Sequence, residues 1–263
     1  MTVIQQDCLE WMKEQSDASI DMVLTSPPYD NLRKYNGFDF DLPNMLPQIK
    51  RILKPGGVII WNVADATIKG SETGTSMRQA LAFIDAGFCL NDTMIYVKRN
   101  PMPTSKSSPR YHQAWEYIYC FSLGKPKTFN PIMRETKYTG QANMKYRGEE
   151  GNIEYTKTKR NTHTRINNVF QYTIGGGHTT QDKCAYGHPA LMPEKLAEDQ
   201  IISWSNAGDT VYDPFCGAGT TVKMAQLLNR VGIGTELNPD YVEIANKRIA
   251  ALYEKTPKIL KKT

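Results

Sequence analysis

The chain has 263 residues, is 40% hydrophobic, and carries 32 Lys and Arg against 27 Asp and Glu, a net charge of +5. That length suits one large domain or one domain with an insertion, and no apolar run reaches the roughly 18 residues that a membrane span needs. Five scattered cysteines (Cys8, Cys89, Cys120, Cys184, Cys216) without a Cys-x-x-Cys pair argue against a zinc site or any other metal centre and against a disulfide framework, and they fit a reducing cytoplasm.

The N-terminus has neither the basic segment nor the long apolar segment of a secretory leader. Val3-Ile4 reads as a short strand and Leu9 to Glu14 as a helix. Ile20 to Leu24 is a second strand, stopped at Ser26-Pro27-Pro28 because proline cannot continue a central ladder. Leu42, Met45, Leu46, Ile49, Ile52 and Leu53 fall at helix spacing, and Lys54-Pro55-Gly56-Gly57 is expected to end that helix with a left-handed glycine cap. Val58 to Val63 is a buried strand, and Met77 to Ala86 is a helix stopped by Gly87. Strands follow at Thr93 to Val97 and Glu116 to Phe121.

From Gly124 to about Gly187 this periodicity fails, and Tyr, Thr, Asn, Lys and Gly dominate. A structureless stretch of that length is foreign to a compact core, so it reads as an inserted recognition region. Ten Lys or Arg stand against four Glu between residues 124 and 170, the usual footprint of a phosphate-backbone partner, with a solvated, flexible surface as the alternative. Alternation then resumes: helix Pro193 to Ser203, strand Thr210 to Tyr212, helix Thr220 to Leu228, strand Val231 to Thr235, helix Pro239 to Tyr253. Strands alternating with helices predict an α/β fold with a doubly wound, mostly parallel sheet. The division expected is a catalytic domain at 1–123 and 187–254, an insertion at 124–186 and a basic tail at 255–263.

Two motifs sit at strand carboxyl ends, where ligands of such sheets bind. In Asp213-Pro214-Phe215-Cys216-Gly217-Ala218-Gly219-Thr220-Thr221, Gly217 and Gly219 allow a sharp turn into a helix whose free N–H groups suit an anion. Glu236 follows at the end of the next strand, where a carboxylate can accept from both ribose hydroxyls. A dinucleotide fingerprint would want a third glycine at Val222. In Ser26-Pro27-Pro28-Tyr29, the Ser26 hydroxyl and Pro27 carbonyl can accept from the N–H bonds of an exocyclic amino group, the prolines fix the backbone, and Tyr29 can stack on a base. Direct methyl transfer from a sulfonium to a base nitrogen is the chemistry this pair suggests. A cytosine C5 enzyme would need a Pro-Cys nucleophile, which the sequence lacks.

With these motifs in this order the chain resembles the β-class amino-methyltransferases of DNA. The resemblance covers roughly residues 1–123 and 187–254. It implies the S-adenosylmethionine-dependent methyltransferase fold, with one antiparallel strand near the edge and an inserted target-recognition region. It implies S-adenosylmethionine as cofactor, held by Asp213, Phe215, Gly217, Gly219, Thr220, Thr221 and Glu236, with Asp7 and Cys8 at its adenine. His188-Pro189-Ala190 with Pro193 and Lys195 resembles the segment that closes over the methionine end, and Lys98 to Tyr119 the lining of the base pocket. Ser26 heading the motif favours N4 of cytosine over N6 of adenine. Double-stranded DNA is the implied partner, touched by Arg33 and Tyr35 and gripped by Lys145, Arg147, Lys157, Lys159, Arg160 and Arg165. A homodimer and a cognate restriction endonuclease are further partners that no residue pattern decides. An RNA or protein methyltransferase, and a non-catalytic DNA-binding module with a relic pocket, stay open as rivals.

Overall fold

The structure, a computed structural model, describes residues 2–28, 40–137, 140–148, 151–175, 177–188 and 190–255. The chain divides into two compact units, Met1–Asn130 with Asn168–Thr263, and Pro131–Asn167. The first unit begins with β1 (Val3–Gln5), α1 (Cys8–Glu14), β2 (Ile20–Thr25), α2 (Leu42–Ile52), β3 (Leu53–Val63), the small hairpin β4 (Thr67–Ile68) and β5 (Ser71–Glu72), α3 (Thr75–Asp85), β6 (Cys89–Lys98) and β7 (Trp115–Ser122). The second unit holds β8 (Met133–Glu135), β9 (Gln141–Arg147), β10 (Ile153–Lys159) and β11 (His163–Arg165). The first unit resumes with β12 (Val169–Tyr172), a 3-10 turn at Lys183–Gly187, α4 (Glu194–Trp204), β13 (Thr210–Asp213), α5 (Thr220–Leu227), β14 (Val231–Glu236) and α6 (Pro239–Lys255).

Eight strands form the main sheet in the order β1-β14-β13-β2-β3-β7-β6-β12. All neighbours pair parallel except β7, which runs antiparallel to both β3 and β6. The strand order reverses between β13 and β2: β2 leads to β3 on one side, β13 to β14 on the other. That is the switch point where a doubly wound sheet opens a crevice at the carboxyl ends. Because β7 alone is reversed, its amino end lies at the same edge as the carboxyl ends of the rest.

Burial follows from register. Val23, Ile59, Trp61, Tyr119, Phe121 and Tyr212 point to one face and join Met12, Met45, Ile49 and Phe83 of α1, α2 and α3 in the main core. Trp11 stacks on Tyr212 at 4.4 Å between ring centroids, tying α1 to β13. Helices α4, α5 and α6 cover the opposite face, where Met22, Leu24, Ile60 and Val211 are also fully buried. A central parallel sheet buried on both sides reads as continuous apolar runs, as β2 and β3 do.

Three features differ from expectation. α2 does not close on glycine: Leu53 caps it in an extended conformation and passes straight into β3, with Gly56 at φ 75 inside the irregular start of the strand. Leu53 pairs with Ile20 before the register shifts at Met22, so sheet pairing outcompetes a helix cap there. Val169–Tyr172 is a strand of the main sheet, parallel to β6, and the compact second unit spans Pro131–Asn167, shorter than 124–186. That unit is not irregular: β9 pairs with β10 and β8 with β11, both antiparallel. Its side chains are almost all exposed, so no hydrophobic alternation marked the strands. Of the tail, Lys255 still belongs to α6, and 256–263 lie outside the described residues.

Candidate active site

A cavity of about 670 Å3 opens at the switch point, within the roughly 300–1,000 Å3 of small-molecule sites. Its walls include Asp213, Phe215, Gly217, Thr220 and Glu236 from one motif and Ser26 and Pro28 from the other. Two contacts hold the motifs together. Thr25 Oγ1 donates to Asp213 Oδ1 at 2.6 Å, and Thr221 Oγ1 donates to the Leu24 carbonyl at 3.3 Å. Residues nearly 190 positions apart thus share one wall.

The glycine loop is bent by its own carboxylates. Asp213 accepts from the Phe215 N–H at 3.1 Å, and Glu236 accepts from the N–H groups of Gly217 (Oε2, 2.9 Å) and Asn238 (Oε1, 2.9 Å). Gly217 and Gly219 both have positive φ, 49 and 77. A Cβ on Gly217 would stand 2.6 Å from His188 Nε2, and one on Gly219 2.7 Å from Ala245 Cβ. His188 therefore packs on the loop itself. It meets Tyr241 edge-on at 4.3 Å, and its Nδ1 accepts from the Ala190 N–H at 3.1 Å. Asp7 caps α1, accepting from Leu9 and Glu10 N–H on Oδ1, and Cys8 packs its sulfur against Met45 Sδ at 4.0 Å. Both line the cavity.

Burial raises the Glu236 carboxyl above its ordinary range, against the pull of the Asn238 and Gly217 N–H groups. Burial also lifts Asp213 to about 6, opposed by Thr25, Thr221 and Phe215. The Cys8 thiol is pushed up to about 12 by burial and by Asp7, and Cys216 is raised well above its usual value by burial. Neither thiol is a nucleophile at neutral pH. For Asp213 the sign follows directly: an acid whose folded value is raised destabilises the fold once ionised. The penalty is absent below about pH 4 and complete above about pH 6. Asp213→Asn is expected to raise the melting temperature at pH 8 by an amount worth up to about 3 kcal/mol, and the gain should shrink as pH falls from 6 to 4. Thermal melts across that range check it; a gain independent of pH contradicts it.

At the other end of the cavity lie Ser26, Pro28, Asn62, Tyr96, Lys98 and Glu116. Thr25 is level with Trp61 in the β2–β3 register, so Ser26 and Asn62 leave adjacent strands side by side. Asn62 faces Ile118, Glu116 is two residues before Ile118, and Tyr96 is opposite Glu116. All therefore share one face of the sheet, as does Lys98, two residues past Tyr96. Asn62 Nδ2 donates to Glu116 Oε2 at 2.7 Å, and Lys98 Nζ pairs with Glu116 Oε1 at 2.5 Å.

Several expected residues fall elsewhere. Pro27 is buried and is not among the lining residues, and its ring fixes the turn. Thr221 lines the cavity, but its hydroxyl is turned to Leu24. Lys195 is outside, paired with Glu198 at 2.8 Å and Asp199 at 2.9 Å. Within Lys98 to Tyr119, Trp115 is 39% exposed and His112 accepts from the Thr104 N–H at 2.8 Å, and neither is among the lining residues. Tyr29, Arg33, Tyr35 and Pro189 lie outside the described residues. Asn62 and Tyr96 were not anticipated. Asn62 had a signal: it is the single polar residue in the apolar run Val58 to Val63.

In the second unit, Lys145, Arg147, Lys157 and Lys159 are exposed. The register sets Lys145 opposite Tyr155, Arg147 opposite Ile153, Lys157 opposite Asn143 and Lys159 opposite Gln141. Four cations and Tyr155 thus occupy one face of a single hairpin. Arg160 and Arg165 are exposed beside it in sequence.

The family model described as DNA methylase matches residues 20–247. The orphan methyltransferase M.BamHII of Bacillus amyloliquefaciens is 48% identical over 245 residues, 90% of this chain and 92% of that one. The cytosine-N4-specific PvuII DNA methyltransferase superposes with a TM-score of 0.69 at 21% identity, covering 96% of this chain and 90% of that one. A DNA modification methylase from Thermus thermophilus, complexed with S-adenosyl-L-methionine, superposes at 0.63 with 22% identity, covering 97% and 96%.

Proposed function

The chain belongs to the DNA methylase family, and on that premise we propose that it transfers a methyl group from S-adenosylmethionine to N4 of a cytosine in double-stranded DNA. The observation that carries the reading is the single cavity in which the Ser26 turn and the Gly217 loop share a wall, pinned by the Thr25–Asp213 hydrogen bond.

The residues fit the cofactor. Each Glu236 oxygen spends one lone pair on a backbone N–H, which leaves acceptor capacity on both for a ribose diol. Phe215, Met45 and Leu237 supply apolar wall, and Asp7 stands with Cys8 at the start of α1 for an adenine edge. His188 and Tyr241 close the side of the loop. S-adenosylmethionine supplies an electrophilic methyl on a sulfonium. Ser26 accepts from the amino group of the base, whose N–H bonds become stronger donors as the nitrogen gains positive charge. That interaction tightens in the transition state, which is what accelerates a reaction. A base reaches this depth only by leaving the helical stack.

We assign the duplex to the second unit, 131–167, as the target-recognition region. The basic face of the β9–β10 hairpin supports this, with Tyr155 among its cations. Replacing Lys145, Arg147, Lys157 and Lys159 together by alanine is expected to flatten the dependence of log K on log salt by about 3 to 4, since each phosphate contact contributes about 0.9. An unchanged slope removes the hairpin from the interface.

The function is tested by offering tritiated S-adenosylmethionine with DNA, RNA and protein, then separating the labelled nucleosides. Label in N4-methylcytosine from DNA is the expected result. Label in N6-methyladenine overturns the choice of base, and label only in RNA or protein overturns the substrate.

A further inference from the structure

The base end of the cavity has a polarity that the transfer chemistry does not require. Activation of an amino nitrogen needs acceptors, yet the wall beyond Ser26 carries a cation. Lys98, Glu116 and Asn62 come from β6, β7 and β3, three adjacent strands, and meet on one face at the edge where Ser26 emerges. Glu116 is buried and takes Asn62 Nδ2 on one oxygen and Lys98 Nζ on the other. The carboxylate thereby fixes the ammonium, which also lies over the Tyr96 ring, 5.9 Å from its centroid. An ammonium has three N–H donors and no acceptor, and Glu116 Oε1 uses one of them.

Cytosine and adenine present the same amino group with a ring nitrogen beside it. They differ one position further along the edge, where cytosine carries the O2 carbonyl and adenine a C–H. A donor there favours cytosine and opposes a carbon-bound hydrogen. We propose that Lys98, held by Glu116 and Asn62, is the specificity-determining residue that reads cytosine O2 and so sets the choice of base. This deepens the proposed function and rests on it. Glu116 and Asn62 are positioning residues in this scheme: they act through Lys98.

The test uses the full chain. The modified sequence is first read from DNA of a host expressing it, and duplexes are made in which the target is either cytosine or a 2-aminopyridine C-nucleoside. That analogue keeps the amino group and adjacent ring nitrogen but lacks O2. In the wild type, loss of O2 is expected to lower kcat/KM roughly 10- to 100-fold, the range for a hydrogen bond to a charged group. In Lys98→Met the two targets should differ by no more than about 3-fold, a loss of coupling that a merely structural role for Lys98 would not produce. Cofactor affinity by calorimetry shows that the variant is folded. Should Lys98→Met lose that affinity, Lys98→Leu, which likewise has no donor, is read by the same ratio. An equal O2 penalty in wild type and variant overturns the assignment while leaving a cytosine enzyme intact. A wild type that modifies adenine overturns the proposed base and this inference together.

Discussion

Replacing Ser26 by alanine is expected to lower the methyl-transfer rate about 100- to 1,000-fold, the range for loss of one preorganised polar partner of a transition state. The affinity for S-adenosylmethionine should stay within about 2-fold of wild type. The exocyclic nitrogen of cytosine is a poor nucleophile because its lone pair is delocalised into the ring. As the methyl arrives the nitrogen becomes partly cationic and its N–H bonds donate more strongly. An acceptor held on a rigid turn gains most at that moment, and it needs no reorganisation. Ser26 meets the condition: Thr25 before it is fully buried and bonded to Asp213, and Pro27 after it is buried. Because the contact strengthens in the transition state, kcat should fall and KM for DNA should change little. Stopped or quenched single-turnover kinetics distinguish this from slowed release. A kcat near wild type removes Ser26 from the reaction.

Replacing Glu236 by alanine is expected to weaken S-adenosylmethionine binding about 100-fold, corresponding to about 3 kcal/mol, as charged hydrogen bonds each contribute about 1.5–3 kcal/mol. Two losses combine. The variant has no acceptor for a ribose diol, and it releases the Gly217 and Asn238 N–H groups that now bend the loop onto the carboxylate. Glu236→Gln should not rescue. Oε2 and Oε1 each accept a backbone N–H, and an amide offers one oxygen, setting its NH2 against the other donor. Isothermal titration of the two variants beside Ser26→Ala separates the roles: Glu236 changes should appear in cofactor affinity, and the Ser26 change in turnover. The reverse pattern contradicts the division of the cavity.

Much of this was legible in the sequence, and the reasons are physical. The strands from β2 to β3 and from β13 to β14 are buried on both faces, so they read as apolar runs between turn residues. Their motifs carry backbone demands, positive φ at Gly217 and Gly219 and fixed φ at Pro27 and Pro28, that few other residues meet. The resulting convergence at the switch point is topological, since parallel strands must end together. What escaped was pairing that depends on partners far along the chain. β12 is four residues long and joins β6 across more than 70 positions, with only alternate residues Phe170 and Tyr172 buried. The hairpins of the second unit bury almost nothing, so no periodicity announced them. Asn62 and Tyr96 enter the site through cross-strand register, which a single sequence does not print.

The central claim is that the glycine loop and the serine turn serve one reaction. A crystal structure of the chain with S-adenosylmethionine measures it directly. The account predicts that the ribose hydroxyls lie on Glu236 and that the sulfonium methyl faces the space beside Ser26 Oγ, leaving room for a nitrogen at the roughly 3–3.5 Å of a near-attack geometry. A cofactor bound with its methyl turned away from Ser26, or seated outside the Gly217 loop, would contradict it.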